Sequence, residues 1–187
     1  MPVMPPRRPS SRERILDAAA ELVGEVGAGR LTLDAVADRA GLSKGGLLYN
    51  FPTKEALLEG MLERIVAVAL REKEKLLHEF AGQRNAQARA SVETALRTRC
   101  ENLKGIASGM LAASAENPKL LDPVRPVIAR EWKALKSGAD DPDAAMLAWL
   151  AIEGLGSLEV HDLSPLSKAD REAVIAAIRR LVERGIR

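Results

Sequence analysis

Residues 32–54 read TLDAVADRAGLSKGGLLYNFPTK, a stretch that spells two short helices, a tight turn and the start of a third helix. Thr32 is placed to cap the first helix, Val36, Ala37 and Ala40 share one face of it, and Gly41 supplies a permissive backbone where it must stop. Ser43 then caps the second helix. That helix opens on Lys44, Gly45 and Gly46 and closes at Phe51-Pro52, because proline disfavours helical geometry in the residue before it. Helix, turn, helix at this spacing is the arrangement in which the second helix enters a DNA major groove.

Upstream, Ile15, Ala18, Ala19, Leu22, Val23 and Val26 recur with helical period, which predicts a first helix over 11–26 that Gly27 and Gly29 end. Downstream, Thr53 caps a long fourth helix whose buried stripe is Leu57, Leu58, Met61, Leu62, Ile65, Val66 and Ala69, ending in the charged run REKEKLL. Breaks follow at Gly82, Glu101-Asn102, Asn117-Pro118, Ser137-Gly138 and Ser164-Pro165. They imply five more helices, near 86–101, 103–116, 118–136, 142–160 and 168–184, with Pro123 and Pro126 breaking or kinking the third of these. The expected fold class is all-α, about nine helices in all. A three-helix helix-turn-helix head over 11–54 leads into a helical body over 55–187, and residues 1–10 form a disordered arm.

Composition agrees. The chain of 187 residues is 47% hydrophobic but only 3% aromatic, so its core is built from Leu, Ala, Val and Ile and suits helix packing better than a sheet. Net charge is +2, and Met1 to Lys54 carries 8 Lys and Arg against 6 Asp and Glu, which leaves 20 against 20 for the rest. The excess lies in the head, enough to place a few cations on phosphates and too little for a general polyelectrolyte binder. The single Cys100 excludes an internal disulfide, no apolar run is long enough to span a membrane, and the opening MPVMPPRRPSS has no apolar signal core. A cytoplasmic protein is expected. Arg7 and Arg8 either solubilise the arm or follow the DNA backbone or minor groove.

Thr32, Val36-Ala37, Ala40-Gly41-Leu42-Ser43, Lys44-Gly45, Leu48-Tyr49, Phe51 and Lys54-Glu55-Ala56-Leu57 form a long gapless pattern. At these residues the chain resembles the tetracycline-repressor (TetR) family of dimeric bacterial transcriptional regulators. The clear resemblance runs from about residue 10 to residue 75; beyond it only size and helical layout are family-like. The resemblance implies a head that binds a double-stranded DNA operator, a body that encloses a small-molecule effector, and a homodimer. No cofactor is implied.

Individual residues then take expected roles. Gly45 and Gly46 cost about 1 kcal/mol each relative to alanine in a helix, and close approach of backbone to DNA would favour them. Lys44 supplies a cation for a phosphate or a guanine edge, while Ser43 and Thr32 bring hydroxyls to helix starts, where backbone N–H groups favour anions. Tyr49 either packs its ring on the bundle with its hydroxyl on a phosphate, or is a buried structural tyrosine. Lys54, in the first turn of the long helix, opposes the helix dipole, and a phosphate would explain it. Asn50 stands where family members often carry histidine, which leaves its role open between a phosphate and an adenine edge. Leu47 touches a thymine methyl or packs inward; Leu48 and Phe51 are expected in the core.

In the body, 144–158 is almost wholly apolar or small, so this helix must be buried on two sides. The resemblance implies that it and the last helix pair with their symmetry copies as a four-helix interface, through Ala148, Ala151, Gly154 and Ser157 on one and Val174, Ile178 and Leu181 on the other; a monomer core is the alternative. Expected cavity residues are Met61, Ile65, Met110, Trp132, Met146 and Trp149, with plain core as the competing role for each. Glu153 sits among Ile152, Gly154 and Leu155 and meets either a ligand or, preferred, an ion-pair partner. His161 is expected as a cap or surface group. An enzyme would need a nucleophile with a base, or a metal set. Two histidines, one cysteine and no HExxH or clustered Cys/His spacing do not supply them. Asp140-Asp141-Pro142-Asp143 reads as helix capping rather than a calcium loop. The remaining rival is an interaction or ligand-binding protein of the same fold without specific operator binding.

Overall fold

The computed structural model describes residues 10–98, 109–110 and 113–186. The arm up to residue 9, Cys100, the expected break at 101–102 and most of the helix expected over 103–116 lie outside the described residues.

Eight α-helices are bounded among the described residues: α1 (Ser11–Val26), α2 (Leu33–Ala40), α3 (Lys44–Asn50), α4 (Lys54–Glu79), α5 (Ala86–Thr98), α6 (Arg125–Ser137), α7 (Pro142–Val160) and α8 (Lys168–Arg184). Helical backbone also occurs at 109–110 and 113–116. Short 3-10 turns occupy Ala28–Arg30 and Pro118–Leu121. The latter turn and the start of α6 at Arg125 place the break where Pro123 and Pro126 demand it.

Local chemistry sets most ends. Ser10, expected as the last residue of the arm, instead caps α1, its hydroxyl accepting from Glu13 N–H while Glu13 reaches back to the Ser10 amide. Thr32, Ser43, Thr53 and Asp141 each accept from a backbone amide in the first turn they cap, and Ser167 and Asp170 form a reciprocal capping box. Gly41 closes α2 at φ 63°, the left-handed conformation glycine enters without a Cβ penalty.

Two hydrophobic cores result. The head core joins Ile15, Leu22, Val36, Leu47, Phe51, Leu57 and Met61, and Met110 and Leu120 return from the body to complete it. The body core joins Val92, Leu135, Ala148, Ile152, Ile178 and Val182 from α5, α6, α7 and α8. Asn85, at φ 54°, ties three segments of the body together: its amide donates to Val182 O (2.8 Å), and its side-chain oxygen accepts from Asp140 N–H (2.7 Å).

Helix α4 runs past both cores. Its expected stripe is fully buried at Leu57, Leu58, Met61 and Leu62, but Ile65, Val66 and Ala69 are only half-buried. Among the described residues nothing covers α4 there as tightly as the head covers its first turns. That gap between the cores is a cavity.

Ala148 and Ile178, expected at a dimer interface, are enclosed by their own protomer, and Val174 and Leu181 pack half-buried against the same core. The reason is helical phase. On α7, Ala144, Ala148, Ile152 and Leu155 face inward, which turns Leu147, Leu150, Ala151, Gly154, Ser157 and Leu158 outward as an exposed, mostly apolar face.

Candidate nucleic-acid interface and cavity

Helix α3 presents one face to the core and one to solvent. Leu47 is 0% exposed, which settles its orientation inward; Leu48, expected in the core, is 36% exposed instead. Tyr49 is 91% exposed, so its ring neither packs on the bundle nor fills a core position. Beyond its chain neighbours and its own helix backbone, Gly45 has no atom within 4 Å of where a Cβ would stand, and Gly46 would make only ordinary contact with Ser43 Oγ at 3.4 Å. Internal packing therefore requires neither glycine.

Every lysine and arginine described in the head already has a partner in the chain. Lys44 Nζ lies 2.8 Å from Asp34 Oδ1, and Lys54 Nζ donates to Gly29 O at 2.8 Å. The carbonyl gives Lys54 a local partner at a helix end that repels cations. Arg12 pairs with Glu63, Arg14 donates to Ala40 O, and Arg30 donates to Val26 O. Arg39 bridges Glu21 and Glu25, and its hydrogen bond holds the Glu25 carboxyl below the usual carboxylate range while raising its own pKa. The Asn50 amide donates to Gly46 O at 2.9 Å and to Ser11 Oγ at 3.4 Å. Its donors are thus turned to the protein.

A phosphate that engages Lys44 must compete with Asp34. Exposed pairs of this kind are worth about 0.2–1 kcal/mol, so Asp34→Asn should tighten DNA binding about 1.4-fold to fivefold at low salt, in titrations against one duplex. Unchanged or weaker binding would show that the Lys44–Asp34 pair does not compete with DNA.

The head is mechanically joined to α4. Phe51, the residue that ends α3, is 3% exposed. A Cβ on Gly60 of α4 would stand 2.6 Å from Phe51 Cε1, so only glycine admits the ring this close. Arg12 covers the same ring with its guanidinium carbon 5.2 Å from the centroid. Further along, Arg64 of α4 reaches back to α1, with Nη1 2.5 Å from Asp17 Oδ1 and Nη2 donating to Leu16 O at 2.9 Å.

Arg64 also lines the cavity, whose volume is about 680 Å³. Its wall comes from α4, α5, α6 and α7, and Ala20 of α1 contributes from the head. Met61, Ile65, Trp149 and Glu153 line it; Met110, Trp132 and Met146 do not. Met110 fills the head core, and Trp132 packs on the body core, edge-on to Trp149 with ring centroids 5.3 Å apart. Met146 is half-buried away from the cavity wall. Glu153 is half-buried and engaged with a partner. His161 sits past the end of α7, its Nδ1 2.7 Å from Ser157 O.

The sequence reading overlooked the polar wall. Lys73, buried at a position where the stripe of α4 would continue, pairs with Glu131 of α6, and Arg171 of α8 holds Glu159 at 2.5 Å, which raises the Arg171 pKa. The available signal was a lysine at an apolar stripe position.

Residues 15–61 match the family model for bacterial regulatory proteins of the tetR family, and residues 85–183 match the model for a tetracyclin repressor-like C-terminal domain. The nucleoid occlusion factor SlmA of Aliivibrio fischeri (strain MJ11) is 39% identical over 61 residues, 32% of this chain and 31% of that protein. The HTH-type transcriptional regulator RutR of Escherichia coli (strain K12) is 35% identical over 72 residues, 38% of this chain and 34% of its own. The chain thus spans about a third of the length of the curated relatives it matches. A candidate transcriptional regulator from Streptomyces coelicolor A3(2) shares the fold over 93% of this chain and 99% of its own, with a TM-score of 0.70 at 24% identity. Among the described residues no helix is long and apolar enough to cross a membrane.

Proposed function

The chain belongs to the TetR family of bacterial transcriptional regulators, and from that premise we propose that it is a homodimeric repressor, released from a near-palindromic operator when a small molecule fills the cavity. The observation that carries the DNA-binding part is the outward face of α3. There Tyr49 stands almost fully exposed beside Gly45, whose surroundings are empty, and Lys44 is held only by a surface carboxylate. A helix surface with no internal role for its glycines or its tyrosine suits close approach to a groove, with the Tyr49 hydroxyl and the Lys44 ammonium on phosphates.

Repression follows from the simplest use of such binding, because a dimer seated on a promoter occludes it without further contacts. Two heads reading half-sites about 34–36 Å apart must hold that spacing. Control then requires only that a ligand bind the two spacings with different free energies. The cavity is placed for this. It borders Ala20 of the head and the middle turns of α4, and Arg64 joins its wall to the backbone of α1. Occupancy changes how α4 packs between the two cores, and Arg64 together with the Phe51–Gly60 contact carries the shift to α1 and α3.

The test of the DNA-binding reading is selection of fragments from the source genome by the purified protein, with a Lys44→Ala, Tyr49→Phe variant at matched salt. A short near-palindrome should be enriched by the wild type and lost with the variant, and Lys44→Ala alone should reduce the salt slope by about one counterion per lost contact. Equal enrichment by both proteins would remove α3 from the interface. No enrichment at all would favour an interaction protein of the same fold.

A further inference from the structure

We infer that the cavity takes an uncharged, elongated apolar molecule with one hydrogen-bonding group, such as an aliphatic alcohol, ketone or ester, and that Thr94 receives that group. The inference rests on the reading of the cavity as the effector site and adds the chemistry of the ligand.

Charge excludes the alternatives first. Among the described residues five ionisable side chains reach the wall: Arg64, Lys73, Glu131, Glu153 and Glu159. Arg64 is held by Asp17 and the Leu16 carbonyl, Lys73 and Glu131 hold each other, and Glu159 is held by Arg171. Glu153 is engaged as well. Among the described residues a charged ligand would find no free counter-charge and would have to break an existing pair; for Lys73–Glu131, the most buried of them, removing one partner leaves an uncompensated charge. An uncharged ligand meets neither obstacle.

The rest of the wall sets its shape. The lining follows α4 from Met61 to Lys73, about 18 Å at the helical rise per residue. Ile65, Val66, Leu70, Val127 and Trp149 make its surface apolar between the ion pairs. Such a space favours an extended hydrocarbon through burial alone.

Among the described residues of the wall one polar group remains unsatisfied. Ser91, Thr94 and Thr98 of α5 all reach the cavity. Ser91 Oγ donates to Gln87 O at 2.9 Å and Thr98 Oγ1 donates to Thr94 O at 2.7 Å. Thr94, 8% exposed, has a hydroxyl with no partner, a property shared among the described residues only with Gln87 Oε1, which is not on the wall. A buried hydroxyl without a partner is costly, and threonine in a helix has two accessible rotamers. A rotamer change turns the hydroxyl toward the ligand, where it can donate to a carbonyl or exchange hydrogen bonds with an alcohol.

The experiment uses the full chain with three probes of one chain length at neutral pH: decanol, decanoate and decylammonium. Binding is read by thermal shift and by tryptophan emission, since Trp149 lines the cavity and Trp132 packs edge-on against Trp149. Decanol should bind, with decanoate and decylammonium at least about tenfold weaker. Thr94→Val should fold at least as stably as the wild type without ligand, because it removes an unsatisfied group, yet bind decanol about twofold to twelvefold more weakly. Thr94→Ser should restore most of that loss. Decanoate or decylammonium binding as tightly as decanol, Thr94→Val binding decanol unchanged, or none of the three binding would each overturn the inference. Decanol that binds as expected but leaves operator occupancy unaltered would support the ligand class and overturn the effector reading beneath it.

Discussion

Leu147→Arg combined with Leu150→Arg should leave a folded monomer that no longer holds an operator. Both leucines point out of the protomer, 52% and 54% exposed, in an apolar face with Leu158 and the small residues Ala151 and Gly154. The opposite face of α7 carries the core contacts of Ala148, Ile152 and Leu155, so the double substitution leaves the fold intact and helical circular dichroism unchanged. In a two-fold interface the same patch meets its own copy. The substitution then sets arginines against arginines in a desolvated contact, which like-charge repulsion and lost hydration both oppose. Light scattering should report the mass of one chain where the wild type gives two. With one head per particle, avidity is lost and operator affinity should fall about a hundredfold to ten-thousandfold. A variant that stays dimeric would show that α7 does not make the contact.

Gly60→Ala should destabilise the protein, against the sign that helix propensity alone gives. In the interior of a helix this exchange normally gains about 1 kcal/mol. Here the added methyl would stand 2.6 Å from Phe51 Cε1 and 3.4 Å from Arg12 Nη2. The ring has little room to yield, because it is buried in the head core and covered by the Arg12 guanidinium. Overpacking of this kind costs about 1–3 kcal/mol, which should appear as a lower Tm. The end of α3 moves with Phe51, so operator affinity should fall too. Phe51→Leu in the same chain should relieve part of the loss, a coupling that separates the contact from a general effect of the substitution. If Gly60→Ala proves more stable than the wild type, Phe51 does not lock α3 to α4.

Helix ends were legible because their causes are local. Thr32, Ser43, Thr53 and Ser167 act within one turn of their own positions, and Gly41 and the proline pair at 123 and 126 act on their own backbone or the adjoining turn. The inward direction of Val36, Ala37 and Leu57 was legible from period alone, since each lies in a one-sided stripe. The same logic could not orient Leu47 against Leu48, two adjacent leucines on a helix of two turns. It also could not phase α7, where nearly every position is apolar and period carries no contrast; only packing against α5, α6 and α8 chose Ala148 and Ile152 for the inside and Leu147 and Leu150 for the outside.

The cavity was the least legible feature, because a void belongs to no residue. It exists where the head core and the body core, assembled from segments far apart in the chain, leave the middle of α4 incompletely covered among the described residues. For the same reason large apolar residues were divided by tertiary placement alone, Trp149 to the wall and Met110 to the head core. Ion pairs follow that rule as well. Lys73 meets Glu131 and Arg64 meets Asp17 across 58 and 47 positions of sequence, distances at which spacing carries no information. The sequence by itself therefore determined most of the described helices, most of their caps and the helix-turn-helix head, all products of short-range backbone chemistry. The tertiary structure decided what faces what: which leucines are exposed, where space is left, and which charges are already spoken for, since each depends on chain segments that meet only after folding.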